Sequence, residues 1–145
     1  MKNIFYAIIG LGAVALLYFG FGVVSRERPQ PDQQAGQSDF GAKTDDHGEG
    51  TVKVTPQALG GAEWRFSVVF DTHSVDLNQD LMRIAVLTDD RGKEYTPSAW
   101  EGAGPGGHHR EGVLVFKAVT PASYIELKIK DIGGVPERSF KWNLQ

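Results

Sequence analysis

Residues 63–70, "EWRFSVVF", carry Trp64, Phe66, Val68 and Phe70 at every second position. Successive side chains of an extended strand point to opposite faces, so a period of two predicts a strand with one buried face. A surface helix would instead repeat its apolar residues every three or four positions. This stretch therefore predicts a half-buried β-strand.

The same period continues through the rest of the chain after residue 50. The further runs are "TVKVT" (51–55), "LMRIAVLT" (81–88), "GVLVFKAV" (112–119), "SYIELKIK" (123–130) and "RSFKWNL" (138–144). Turn-forming residues separate them, namely "GG" (60–61), "DDRG" (89–92), "GPGG" (104–107) and "GGVP" (133–136). The pattern predicts short strands joined by turns, with no helix between them.

Short strands without crossover helices favour two packed antiparallel sheets, because each half-wet sheet must cover its apolar face with another. We therefore expect residues 51–145 to form an all-β, immunoglobulin-like antiparallel β-sandwich of about seven strands. The aromatic residues on the strands are expected in the core. Trp100, beside "EGAGPGG", is predicted to be the more exposed aromatic residue.

The amino-terminal segment predicts a membrane anchor. Residues 4–24, "IFYAIIGLGAVALLYFGFGVV", form a run of 21 residues without a charge, close to the roughly 20 residues that an α-helix needs to cross a bilayer. A cleaved signal peptide usually has a core of about 7–15 residues that ends in small residues. No convincing cleavage site follows Val24, and the chain has no cysteine for lipidation. Residues 1–25 are therefore expected to be an uncleaved transmembrane signal anchor.

Residues 26–50 predict a flexible, acidic linker. Between positions 29 and 50 the chain has five acids, one lysine and one aromatic residue, a composition that cannot bury a core. Lys2 precedes the apolar run and Arg26 and Arg28 follow it, so the positive-inside rule does not decide the orientation. A linker and a strand-rich domain after a short tail favour an exported domain. The expected location is the cell membrane, single-pass, with the carboxy-terminal domain extracytoplasmic.

Charge and cysteine content exclude some functions. From residue 51 onward there are 11 Lys and Arg against 12 Asp and Glu, so no electrostatic argument supports nucleic acid as a partner. The absence of cysteine excludes a disulfide framework and a thiolate metal site.

Two stretches contain the candidate site residues, "FDTHSVDLNQD" (70–80) and "GPGGHHREGVLVF" (104–116). We expect them to form neighbouring, hydrogen-bonded loops at one rim of the sandwich, where binding loops commonly lie. Asp71 or Asp76 is expected to orient an imidazole or to pair with Arg110. The predicted binding-rim residues are His73, Trp100, His108, His109 and Arg110.

A metal site is the alternative interpretation of these residues. Asp71 and His73 share a face by the two-residue period of a strand, and His109 would complete a Cu or Zn site with nitrogen and oxygen ligands. The main interpretation requires no cofactor.

Calcium binding and catalysis are not favoured. Asp76, Asn78 and Asp80 have the alternate spacing of oxygen ligands, but leucines stand where an EF-hand needs Gly and Glu. These acids are instead expected to solvate and cap a turn. Asp71, His73 and Ser74 are too close in sequence to converge as a catalytic triad, so no enzyme is predicted.

Three stretches also carry a resemblance: "WRFSVVFDTHSVDL", "DLMRIAVLTDDRGKEYTPSAWEG" and "GPGGHHREGVLVF". They resemble a family of poorly characterised prokaryotic proteins that are often membrane-anchored or exported, over residues 51–145. More loosely, the chain resembles immunoglobulin-like modules of exported proteins. The resemblance implies an extracytoplasmic β domain and no particular activity.

The sequence as a whole predicts a non-enzymatic binding module. It would be held in the lipid bilayer by residues 4–24 and would bind another protein or an envelope component. A periplasmic or surface Cu or Zn protein that uses loop histidines is the first alternative. A pilin-like filament subunit is the second, because an apolar helix before a β-sandwich also builds such subunits. The long linker argues against it.

Overall fold

The computed structural model describes residues 40–119 and 121–144. These residues form nine strands and one helical turn. The elements are β1 (Lys43–Asp45), β2 (Gly50–Gly60), β3 (Glu63–Thr72), α1 (Leu81–Ile84), β4 (Ala85–Asp89), β5 (Glu94–Tyr95), β6 (Ala99–Gly102), β7 (His109–Lys117), β8 (Tyr124–Ile132) and β9 (Val135–Asn143).

The strands form two antiparallel sheets. One has five strands in the order β1-β2-β3-β7-β6, and the other has four in the order β5-β4-β8-β9. All neighbouring pairs are antiparallel. The expected all-β architecture of two antiparallel sheets is therefore confirmed. The short strands β1, β5 and β6 were not among the predicted runs.

The two sheets share one hydrophobic core, in which Phe66 of β3 has a central place. Its ring centroid lies 5.7 Å from that of Phe116 in the same sheet and 5.7 Å from that of Trp142 in the other sheet. The alternating residues of β3 that the sequence placed on one face are all buried. The period of two therefore identified the core face of this strand correctly, since only one face of each sheet is withdrawn from water.

One helical turn corrects the prediction of an uninterrupted strand over residues 81–88. Leu81–Ile84 is helical, and strand β4 begins only at Ala85. The carboxylate Oδ1 of Asp80 accepts a hydrogen bond from the backbone N–H of Met82 at 3.0 Å, which is the role of a helix N-cap. The expectation that an acid of this stretch caps a turn is thus confirmed for Asp80.

Residues 40–49, called the N-terminal strap below, correct the predicted boundary between linker and domain. Strand β1 lies inside the segment predicted as a linker and pairs with Val52–Val54 of β2. The indole Nε1 of Trp142 donates to the carbonyl of Gly41 at 2.9 Å. A strand pair is held by backbone groups, so a polar segment joins a sheet without apolar side chains of its own.

The predicted anchor, residues 1–25, and the remaining linker, residues 26–39, lie outside the described residues. Within residues 40–119 and 121–144, none of the helical structure is long and apolar enough to span a membrane.

The sandwich has two ends. The rim end carries the β1–β2 loop (46–49), the β3–α1 loop (73–80), the β6–β7 loop (103–108) and the β8–β9 turn (133–134). The base end carries the β2–β3 turn (61–62), the β4–β5 turn (90–93) and the β7–β8 connection, of which residues 118–119 and 121–123 are described. The four turns that the sequence predicted all fall between strands.

Candidate functional site

The rim end is built from loops that are hydrogen-bonded to one another. The N–H of Thr72 donates to the carbonyl of His108 at 2.7 Å, and the N–H of Leu77 donates to the carbonyl of Gly107 at 2.9 Å. The N–H of Gly106 donates back to the carbonyl of Leu77 at 2.9 Å. The β3–α1 and β6–β7 loops are therefore neighbours, as the sequence predicted.

His109 and Asp71 form an imidazole–carboxylate pair across strands β7 and β3. The two residues are directly opposite in the register, and Nδ1 of His109 lies 2.5 Å from Oδ1 of Asp71. Nε2 of the same ring lies 3.7 Å from a carboxylate oxygen of Glu111. The hydrogen bond with Asp71 raises the pKa of His109, and the negative charges of Asp71 and Glu111 act in the same direction. The predicted orientation of an imidazole by Asp71 is thus present.

His108, the last residue of the β6–β7 loop, contacts the β3–α1 loop. Its Nδ1 lies 3.3 Å from the carbonyl oxygen of Val75, and its Nε2 lies 3.9 Å from Oδ1 of Asp76. The side chains of His108 and Asp76 are 54% and 61% exposed. The ring thus links two loops while much of it stays accessible to a partner.

His73 is exposed at the start of the β3–α1 loop. Its backbone N–H donates to the carbonyl of Glu49 at 3.2 Å, while the hydroxyl of Ser74 donates to the carboxylate of the same Glu49 at 2.7 Å. Asp71 pairs with His109 instead. The neighbouring residues Asp71, His73 and Ser74 therefore diverge, as expected for residues so close in sequence.

The structure brings together two of the three predicted metal-ligand candidates. Asp71 and His109 are in contact. Among the described residues, no three His, Asp or Glu side chains converge where they could hold one metal ion, so His73 does not join the other two. The Cu or Zn alternative stays a prediction.

Arg110 does not lie on the exposed surface where the sequence placed it. It is 3% exposed, and its guanidinium donates to backbone carbonyls, from Nε to Ala103 at 2.9 Å and from Nη1 to Gln79 at 2.7 Å. Burial lowers the pKa of Arg110, and the charge of Asp80 opposes this. Arg110 thus joins the β6–β7 and β3–α1 loops from their buried side. A guanidinium has several N–H donors and can hydrogen-bond to several carbonyls at once.

Trp100 is half-buried beside this arginine, whereas Trp64 and Trp142 are buried, so Trp100 is the more exposed tryptophan, as predicted. Its Nε1 donates to the carbonyl of Ala103 at 2.8 Å, and the guanidinium carbon of Arg110 lies 5.5 Å from the ring centroid. A Cβ on Gly112 would lie 2.7 Å from Cζ2 of Trp100. The indole therefore rests against glycine backbone and supports the loops.

A second buried arginine, Arg138 of β9, fastens the N-terminal strap and was not among the predicted site residues. Nη2 of Arg138 donates to the carbonyls of His47 at 2.7 Å and Gly50 at 3.0 Å, and Nη1 pairs with the carboxylate of Asp45. Desolvation acts to raise the pKa of Asp45, but hydrogen bonds from His47 and the charge of Arg138 lower it overall. The period of two was the available signal, because it places Arg138 on the buried face of β9 with Phe140.

His47 is a further rim residue that sequence reasoning missed, because it lies in the segment predicted as a linker. Its Nδ1 lies 3.2 Å from Oδ1 of Asp45, and its side chain is 80% exposed. The chain has four histidines, and with His47 all four lie at the rim end. Three of them face an aspartate there, in the pairs His47–Asp45, His108–Asp76 and His109–Asp71.

Comparisons of the chain with protein-family models, with curated proteins and with solved structures find no match.

Proposed function

We propose that this chain is a single-pass, membrane-anchored protein whose extracytoplasmic domain is an immunoglobulin-like β-sandwich. The domain acts as a non-enzymatic interaction module, and its rim end binds another protein or a component of the cell envelope.

The strand order supports the immunoglobulin-like type. Without β1, the sheets run β2-β3-β7-β6 and β5-β4-β8-β9. When the eight strands β2 to β9 are named A, B, C, C′, D, E, F and G, the sheets become A-B-E-D and C′-C-F-G. This is the arrangement of immunoglobulin-like sandwiches, with the A-B-E-D sheet facing the sheet that contains C, F and G. The loops at the rim end then correspond to the B–C, D–E and F–G loops.

One observation carries the proposed interaction role: the rim is exposed, and hydrogen bonds within the protein hold its loops in place. His73, His108 and His109 are exposed, yet the loops that bear them are joined by backbone hydrogen bonds and held from below by buried Arg110 and Arg138. A surface that is ordered before binding loses less conformational entropy when a partner docks. Loops with this property on a β scaffold are the usual place for recognition.

The non-enzymatic part of the proposal rests on where the polar side chains of the rim point. The hydroxyl of Ser74 donates to Glu49 and no histidine ring accepts from it in the described part of the chain. A nucleophilic serine needs an adjacent base within hydrogen-bond reach. The pair His108–Asp76 joins two loops, and the pair His109–Asp71 joins two strands.

The anchor and the location rest on the 21 uncharged residues at positions 4–24 and on the polar stretch that follows them. A test is alkaline carbonate extraction of membranes from cells that produce the chain, followed by protease treatment of intact cells or spheroplasts. We expect the chain to stay in the membrane pellet and its carboxy-terminal domain to be digested from outside. Protection of the domain until the membrane is broken would contradict the proposed orientation.

The interaction role is tested by photo-crosslinking in cells. A photoreactive residue replaces Ser74 at the rim or, as a matched control, Ser139, which is also exposed but lies on the outer face of β9. We expect a discrete adduct from position 74 and none from position 139. The adduct should disappear when His108→Ala is added. Adducts of equal yield at both positions would show that the rim is not a specific binding surface.

A further inference from the structure

We propose that the base end of the sandwich is a contact surface for anionic lipid headgroups, and that it turns the rim away from the bilayer. The surface consists of the β2–β3 and β4–β5 turns, the described residues 118–119 and 121–123 of the β7–β8 connection, and the base lysines Lys93, Lys117 and Lys141. The inference goes beyond the proposed interaction role of the rim and rests on the proposed anchor only for bringing this end close to lipid.

The connections at the base end are hydrogen-bonded to one another. The N–H of Ala118 donates to the carbonyl of Ala62 at 3.0 Å, which ties the β7–β8 connection to the β2–β3 turn. The N–H of Ser123 donates to Oδ2 of Asp90 at 2.8 Å, and Nη2 of Arg91 donates to the carbonyl of Pro121 at 3.0 Å. These contacts hold the three connections together across both sheets.

The base lysines form no ion pair with a carboxylate in the described part of the chain. All three base lysines are exposed, and none lies within 4.0 Å of a carboxylate of the described residues. Nζ of Lys141 lies 3.4 Å from the ring centroid of Tyr124, and Nζ of Lys93 lies 4.8 Å from that of Tyr95. Their positive charge is therefore available to an external anion.

Most carboxylates of the same end are engaged within the protein. Asp89 is 1% exposed and accepts the N–H groups of Arg91 and Lys93 and the hydroxyl of Tyr95. Glu63 lies 3.4 Å from Nη1 of Arg65. The base end also bears exposed Glu94, next to Lys93. The positive charge that this end offers to an anion therefore comes mainly from Lys117 and Lys141, because Asp89 and Glu63 already have partners.

Two observations indicate that the external anion is a headgroup of a lipid bilayer. Lysines beside tyrosine rings combine a cationic tip with an amphipathic ring, which suits the headgroup region. From Asp45 back to Gly41 the strap runs from the rim toward the base, and Gly41 is hydrogen-bonded to Trp142 of β9. The sequence before it contains the predicted anchor. Lys43 lies beside the same tryptophan, 6.0 Å from the ring centroid. Each lysine close to an anionic membrane strengthens association about fivefold.

The rim would then face away from the membrane. The histidines and their aspartates lie at the end of the strands opposite to the base lysines. Contact between the base and the lipid headgroups would leave the rim loops open to a partner, and would reduce the range of orientations that a long tether otherwise allows.

The test uses the full chain, which contains no cysteine and therefore accepts single labels. Ala62→Cys places a fluorophore at the base and Ala103→Cys places one at the rim; both alanines are exposed. Each protein is reconstituted with vesicles of phosphatidylcholine alone or mixed with phosphatidylglycerol, and quenching by a headgroup-attached quencher is measured. We expect stronger quenching at position 62 than at 103 when phosphatidylglycerol is present, and loss of the difference in high salt.

A second experiment reverses the charge of two base lysines. K117E with K141E should remove most of the quenching at position 62 that depends on phosphatidylglycerol. K53E with K130E is the matched control, because both of these lysines are exposed but lie away from the base, and it should leave the quenching unchanged. Equal quenching at 62 in both lipids, or equal loss in both double variants, would overturn the proposal. Resistance to carbonate extraction reports on the anchor separately, so failure of the two ideas is distinguishable.

Discussion

Nδ1 of His109 and Oδ1 of Asp71 lie 2.5 Å apart on adjacent strands at the rim. Both side chains are 57% exposed, so solvent screens the pair and its contribution to stability is small. The hydrogen bond with Asp71 raises the pKa of His109. A raised pKa in the folded state means that the pair stabilises the protein below the ordinary histidine pKa of about 6.5, and that this contribution is lost as the pH rises through the folded pKa.

Asp71→Asn should therefore lower the pKa of His109. An NMR titration of the imidazole carbon-bound protons measures this directly. We also expect the stability difference between the original chain and this variant to be larger near about pH 5.5 than near about pH 8, since only the protonated imidazole gains from the carboxylate charge. His73→Gln is the control and should leave the His109 titration unchanged. An unaltered titration in Asp71→Asn would contradict the assigned contact.

Phe66→Ala should destabilise the domain by about 3–5 kcal/mol, the usual cost of removing a buried aromatic ring. Phe66 is fully buried and contacts Phe116 of its own sheet and Trp142 of the facing sheet, so its loss opens a cavity between the sheets. Ser67→Ala, the next residue on the outer face, should change stability by no more than about 0.5 kcal/mol. Chemical denaturation measures both. Equal effects would show that β3 does not bury the predicted face.

Arg138→Met should release the N-terminal strap and destabilise the domain by about 3 kcal/mol or more. The side chain of Arg138 is fully buried, and its removal takes a donor from the carbonyls of His47 and Gly50 and the ion-pair partner from the carboxylate of Asp45. Arg138→Lys keeps the charge but loses the planar fork, so it should restore only part of the stability. Hydrogen exchange would show faster exchange first in β1. Unchanged protection of β1 in Arg138→Met would disprove this fastening role.

Gly48→Ala should destabilise more than Gly61→Ala, although both glycines have a left-handed backbone, with φ of 68° and 74°. Alanine in that conformation costs about 1–2 kcal/mol at either site. A Cβ on Gly48 would also lie 2.5 Å from the carbonyl oxygen of Gly133, whereas one on Gly61 meets nothing within 4 Å. The difference in unfolding free energy therefore measures how closely the strap packs on the β8–β9 turn. Equal destabilisation by the two substitutions would show that the strap can move away from the β8–β9 turn without loss of stability.

The sequence predicted the parts of this fold that follow from side-chain alternation. Trp64 and Phe66 are buried as their period indicates, and the glycine-rich turns separate the strands. Strand β1 escaped prediction because Lys43, Thr44 and Asp45 are polar, and their ladder with β2 is formed by backbone groups, which the alternation of apolar side chains does not reveal.

The sequence predicted which loops form the candidate site, but it did not predict which of the side chains there are buried. The pairing of Asp71 with a histidine was foreseen, because neighbouring strands bring the two loops together. Arg110 was expected at the surface, since an arginine is normally solvated. Whether such a side chain turns inward depends on the carbonyls it meets there, as Arg110 meets those of Ala103 and Gln79, and sequence periodicity contains no information about those partners.

Arg110→Met should loosen the rim loops while leaving the sheets folded. The guanidinium donates to the carbonyls of Ala103 and Gln79. The carbonyl of Ala103 keeps the indole N–H of Trp100 as a donor, so the main loss is at Gln79, and a buried carbonyl that loses its donor costs about 1–3 kcal/mol. We expect faster hydrogen exchange at the N–H groups of Leu77 and Gly106, whose bonds join the two loops, and little change in the middle of β3. Arg83→Met is the matched control, because Arg83 is an exposed arginine of the short helix, and it should leave the exchange of both amides unaltered. If Arg110→Met leaves those two amides as protected as before, the loops are held by their own backbone bonds, and the buried arginine is not what orders the rim for binding.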